Sequence, residues 1–241
     1  MQLHHSNFIK SPISNVLENA LLACNTIGDG LESYPLGNYI LPSVLLNMTG
    51  FQEQKLKCIC WDTATFDYDF RRDWLRDIGK FGEYSNYDSK NNVYKMLMMR
   101  IKKYGYGDNM SIFQNEQKKE IIENTLNTLD AILKESLFIK WKQKDYLYYE
   151  KWKQKVRPCH FANSSLLEEC LMNVYNMLYK SRNMYAHNTI SYQDNIPSFS
   201  ILASPENDYN NFFCWFTLLF LVDKIFITLY ETVIEKFELY V

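Results

Sequence analysis

Residues 179–190 read YKSRNMYAHNTI. Arg182 is followed at once by an amide, Asn183, and His187 comes five positions after the arginine. A guanidinium is permanently charged and can hold a phosphate through two parallel hydrogen bonds. An imidazole that titrates near neutrality can move protons. Together they suffice in principle to cleave RNA without a metal. The ribose 2′-hydroxyl would attack its own phosphate while His187 transfers protons. Arg182 would stabilise the charge on the pentacoordinate phosphorus, and Asn183 would orient either partner.

The spacing constrains how these groups can meet. Five residues turn a straight α-helix through about 500°, so the two side chains point about 140° apart. Convergence needs a helix end or kink between them, or a second copy of the motif across an interface. The polar run after His187 places a helix end nearby. A structural reading competes. Cations in a last helical turn complement the macrodipole, and Asn188 suits the position just past a helix end.

The elements that must position these residues have helical period. SPISNVLENALLACNTI (11–27) opens with a serine and Pro12, carries one apolar stripe, and stops at Gly28-Asp29-Gly30. A helical region spans about 38–78, with Pro42 and Gly50 marking a start and a kink or break. Residues 79–92 read as a loop, 92–104 as a short helix, 105–109 as a turn and 111–141 as a long helical pattern. Ser165 with Glu168 three later makes a capping box ahead of the motif helix. Residues 189–208 read as a loop with one short extended piece, and a last helix covers about 209–239. Phe212, Phe213, Trp215, Phe216, Leu219 and Phe220 cover too much of its circumference for a one-sided stripe, so it is central or shared with a partner. No segment alternates with period 2. The expected fold is all-α, a bundle of long helices in a single domain over 1–241, with an extra N-terminal helical region at 1–110 and a core at 111–241.

The formal net charge is −2, so any affinity for nucleic acid must come from a local patch. One exists. KWKQK occurs at 140–144 and again at 151–155, and residues 134–157 carry eight cations against three anions. The repeat spacing equals three helical turns, so Trp141 and Trp152 share a face if the helix is continuous. Lys142, Lys144, Lys153 and Lys155, interleaved with Tyr146, Tyr148 and Tyr149, are candidate RNA contacts. The alternative is a solvated face whose lysine stems lie over apolar surface. Arg71, Arg72 and Arg76 alternate with Asp69, Asp73 and Asp77 at helical spacing and read as surface ion pairs.

The six cysteines form no CxxC pair and read as free, buried thiols of a reducing cytoplasm. No metal site and no cofactor are expected, since no ligand spacing pattern is present. The start, MQLHHSNFIK, lacks the features of a secretory signal. The most apolar run, 212–222, is stopped by Asp223-Lys224 at about half the ~20 residues of a membrane span, so it reads as a buried helix and no membrane association is expected.

R-N-x-x-x-H ending an apolar helix in an all-α chain resembles the R-x(4–6)-H signature of the HEPN superfamily, in which a polar residue typically follows the arginine. The resemblance covers the helix around 165–188 and the apolar helix after it. It implies a small helical bundle and a metal-independent endoribonuclease of toxin–antitoxin, abortive-infection or CRISPR-associated type. Its site would be composite, with two copies of the motif facing each other, usually in a homodimer. Arg182, Asn183 and His187 would carry catalysis, RNA would be the substrate, and an antitoxin or other regulatory protein a possible partner. Some family toxins extend the motif to R-x4-H-x-Y, where a nucleotidyltransferase partner modifies the tyrosine. Here that position is Thr189, and Tyr192 is out of register. The rival expectation is a HEPN-like helical module that binds a protein or nucleic acid without chemistry.

Overall fold

The computed structural model describes residues 4–81, 84–105, 112–187 and 211–240. Among them are ten α-helices and no strand, so the fold is all-α. In chain order they are α1 (Ser6–Lys10), α2 (Ser14–Cys24), α3 (Tyr34–Phe66), α4 (Tyr68–Phe81) and α5 (Tyr87–Lys103). Then come α6 (Asn115–Leu133), α7 (Leu137–Trp141), α8 (Gln143–Lys153), α9 (Glu169–Ala186) and α10 (Phe212–Tyr240).

The centre of the bundle is α10. Every residue from Asn211 to Asp223 is buried, and α3, α5, α6, α8 and α9 pack around it. Its two-sided apolar surface is thus used within the chain. The helix is long and apolar enough to cross a membrane by length and composition, but 83% of its most apolar stretch is buried in the protein. The helix runs on past Asp223-Lys224, as expected, and Asp223 points into the core against Lys55 of α3.

Several expected boundaries move. The first long helix begins at Ser14 rather than at the Ser11-Pro12 pair. Neither Pro42 nor Gly50 breaks α3, which runs from Tyr34 to Phe66 with Pro35 in its first turn and Pro42 inside. A helix this well packed tolerates one missing N–H. The break falls instead at Asp67, whose carboxylate accepts from the Phe70 amide at 2.8 Å and so caps α4. The segment read as a loop to residue 92 turns helical at Tyr87, where Asn86 caps the Ser89 amide at 2.8 Å. The pattern over 111–141 is two helices. Glu135 adopts φ 60° between α6 and α7. The KWKQK repeat lies on no continuous helix, because Lys142 (φ −130°, ψ 48°) separates α7 from α8. Trp141 therefore packs on Gly37 of α3, with its indole N–H 3.0 Å from Ser33 Oγ, and Trp152 faces elsewhere.

Of the ion pairs expected on α4, Arg72 lies near Asp69 and Asp73 and Arg76 near Asp73, whereas Arg71 lies over the Tyr68 ring and the Asp77 side chain is outside the described residues. His5 is tied down by Asp62 at 2.7 Å rather than loose at the terminus. All six cysteines are free, but Cys159 and Cys170 are exposed, contrary to the expectation of burial.

Lys55 and Asp223 lock the bundle together. The ammonium lies 2.6 Å from Asp223 Oδ1 and 2.6 Å from the Ser11 carbonyl, and Asp223 Oδ2 accepts from the Ile13 amide at 3.0 Å. Burial pulls the lysine pKa down and the aspartate pKa up, each opposed by the partner's charge. Asp223→Ala would strand a buried ammonium and should cost about 3–5 kcal/mol in urea unfolding. The double change Lys55→Met with Asp223→Leu should recover most of that loss, whereas equal loss in both variants would show that the pairing is not the cause.

Candidate functional site

The motif helix α9 starts later than the capping box requires. Its N-cap is Glu168, and Ser165 instead donates to the Leu167 carbonyl at 3.0 Å. Residues 161–167 form a tight turn closed by one antiparallel bridge between Phe161 and Leu167. Asn163 holds it by donating to Glu168 Oε1 and to the Cys159 carbonyl, each at 2.9 Å.

The inward face of α9 is Leu171, Val174, Tyr175 and Leu178. Arg182, two turns beyond Tyr175, continues that face toward α3. Its Nη2 donates to Glu53 Oε1 at 3.0 Å and its Nη1 to Asn183 Oδ1 at 3.0 Å. The Arg182 side chain is 17% exposed and that of Glu53 10%. Among the described residues the buried Arg182 Nε has no hydrogen-bond partner. His187 is the C-cap residue (φ −97°, ψ 3°), is exposed, and donates its amide to the Asn183 carbonyl at 3.0 Å.

The helix end expected near His187 is therefore real. Among the described residues no hydrogen bond joins the side chains of Arg182 and His187. Asn183 accepts from the arginine, and His187 is exposed at the helix end. Thr189, Tyr192 and the extended piece expected in 189–208 lie outside the described residues.

Two charged residues that the sequence reading passed over shape this site. Glu53 lies among the polar letters of FQEQK, yet on α3 it faces inward. Lys90 sits in a stretch read as loop, yet on α5 it is 1% exposed, with its ammonium 6.0 Å from the centre of the Tyr175 ring. Burial pulls the Lys90 pKa down to about 7; Glu53 opposes that shift and the Arg182 charge adds to it. The only available signal was helical register, since both letters look solvent-facing.

The four candidate RNA lysines part company. Lys153 is held by Asp130 at 2.8 Å and Glu150 at 2.6 Å. Lys142 reaches Asn38 at 3.1 Å. Lys144 and Lys155 are exposed, and Lys155 borders a groove along α9. Among the described residues no cluster of three metal-ligating side chains occurs. The chain matches no family model, no curated protein and no solved structure.

The sign of the Lys90 effect is fixed. The unfolded chain keeps this proton up to the ordinary lysine value of 10.5, whereas the folded chain releases it near 7. Between those values unfolding takes up a proton, so through this residue the wild type gains stability as pH rises. Lys90→Met should therefore stabilise the protein most below pH 7, with the advantage shrinking as pH climbs toward 10.5. Urea midpoints of both proteins at several pH values test this, and a pH-independent difference would refute it.

Proposed function

We propose that the chain is a HEPN-type, metal-independent endoribonuclease that acts as a homodimer. The observation that carries this reading is the state of the motif: a guanidinium fixed by Glu53 and Asn183, five residues ahead of a histidine left exposed where the helix ends. A preorganised arginine stabilises developing charge without reorganising. Two such helix ends facing each other would supply the arginine of one copy to the histidine of the other. The 2′-hydroxyl then attacks the adjacent phosphorus as His187 takes its proton, the P–O5′ bond breaks, and a protonated His187 returns a proton to the leaving oxygen. Arg182 balances charge on the phosphoryl oxygens. A cytoplasmic role as toxin or antiviral defence effector, checked by a regulatory protein, fits such an activity.

One observation favours a second reading. Glu53 already neutralises Arg182, which is what a helical binding module without chemistry would use to dock α9 on α3. RNA digestion in excess EDTA separates the two. The nuclease reading expects cleavage that survives chelation and falls at least ~100-fold in both Arg182→Ala and His187→Ala. Loss of cleavage on chelation, its absence from the wild type, or its retention in either variant would sink that reading.

A further inference from the structure

One side of α9, from Cys170 to Tyr185, borders a groove of about 900 Å³. It follows the helix for ~22 Å at 1.5 Å per residue. Trp152 of α8 lies on one side, and Phe212 and Trp215 of α10 on the other. Tyr185 stacks on Phe212 with ring centres 6.2 Å apart and planes within 24°, and Trp215 meets Phe212 edge-on at 5.2 Å. Lys155 and Lys180 stand at the margin, both exposed and neither in an ion pair among the described residues. Asn173 and Asn176 add exposed amides along the same helix. Trp215 is 1% exposed, and among the described residues its buried indole N–H has no hydrogen-bond partner. A buried donor left unpaired in the wall of a groove is costly unless something there accepts from it.

We infer that this groove binds a short run of unpaired RNA. The part-exposed rings of Tyr148 and Tyr185 in the lining offer stacking to bases of any sequence, and lysines at the rim track the phosphates. The indole N–H suits a base carbonyl or ring nitrogen, and the asparagines can pair with exposed base edges. Its length suits an extended strand better than a single nucleotide. Its far end, at Met184 and Tyr185, lies within one turn of His187, so a strand lying in it emerges at the helix terminus. The inference shares its RNA ligand with the proposed function but concerns binding alone, so it also stands for a module that does not cleave.

The test uses fluorescence anisotropy of a labelled oligouridylate and of a duplex RNA of equal length, with full-length protein carrying His187→Ala. The single strand should bind more tightly than the duplex. Lys155→Ala with Lys180→Ala should weaken it about tenfold or more and flatten its salt dependence by roughly 1.4 in slope. Trp215→Phe, which keeps a ring and removes only the donor, should weaken it several-fold and leave the salt slope alone. Equal binding of the duplex, or affinity unchanged in both variants, would overturn the inference and leave the groove to another occupant, such as an apolar helix of a protein partner. Binding with the expected losses but no cleavage by the wild type would remove the nuclease and keep the groove. Cleavage with RNA affinity indifferent to these residues would do the reverse.

Discussion

A helix that is apolar on every side cannot sit at a surface, and α10 imposes that condition on the whole chain. Phe213, Phe216, Leu218, Leu219 and Val222 are wholly buried and need neighbours all round. Each such side chain is worth about 1.5–3 kcal/mol when removed from water. Five helices close around them, and the remaining ones fill outer positions. The start of α10 shows the same pressure. Asn211 is 2% exposed and caps the helix from inside, its side-chain oxygen accepting from the Phe213 amide at 3.0 Å and the Cys214 amide at 3.3 Å.

Surrounding an apolar rod still leaves rotation and register open, and the buried polar groups close them. Gln52 donates to the Leu219 carbonyl at 3.1 Å, while Lys55 grips Asp223. Glu53, between them in sequence, turns to Arg182. One short stretch of α3 thus fixes both α10 and α9. Such contacts add little net stability, because desolvation offsets most of the attraction, but wrong registers would strand charges. The cluster of Glu53, Lys55, Lys90, Arg182 and Asp223 balances only when Lys90 is neutral, which agrees with the direction in which burial moves it.

What could be read from the letters follows from this division. The all-α class, the central helix and the motif helix were legible because their signals are local periodicities. Pro42 and Ser165 do not mark the boundaries expected of them, because distant contacts decide where these helices start and stop. Lys142 breaks the KWKQK repeat where Trp141 settles onto Gly37 and Lys142 reaches Asn38, both on α3. In the same way Glu53 meets Arg182 across 129 positions of sequence. No periodicity within either helix announces such a pairing, so Glu53 and Lys90 looked like solvent-facing charges.

Different sides of α9 face different neighbours. Arg182 points to α3, Met177 and Met184 border the groove on another side, and His187 caps the end. A helix with its side chains is about 10 Å across, so one chain cannot bring its guanidinium round to its own groove. A phosphate held by Arg182 and bases held in the groove would meet only beyond the last turn, where the imidazole lies. Arg182 and His187 both lie in the C-terminal part of α9. There a second copy could approach without disturbing the Glu53 pair that holds the first arginine in place.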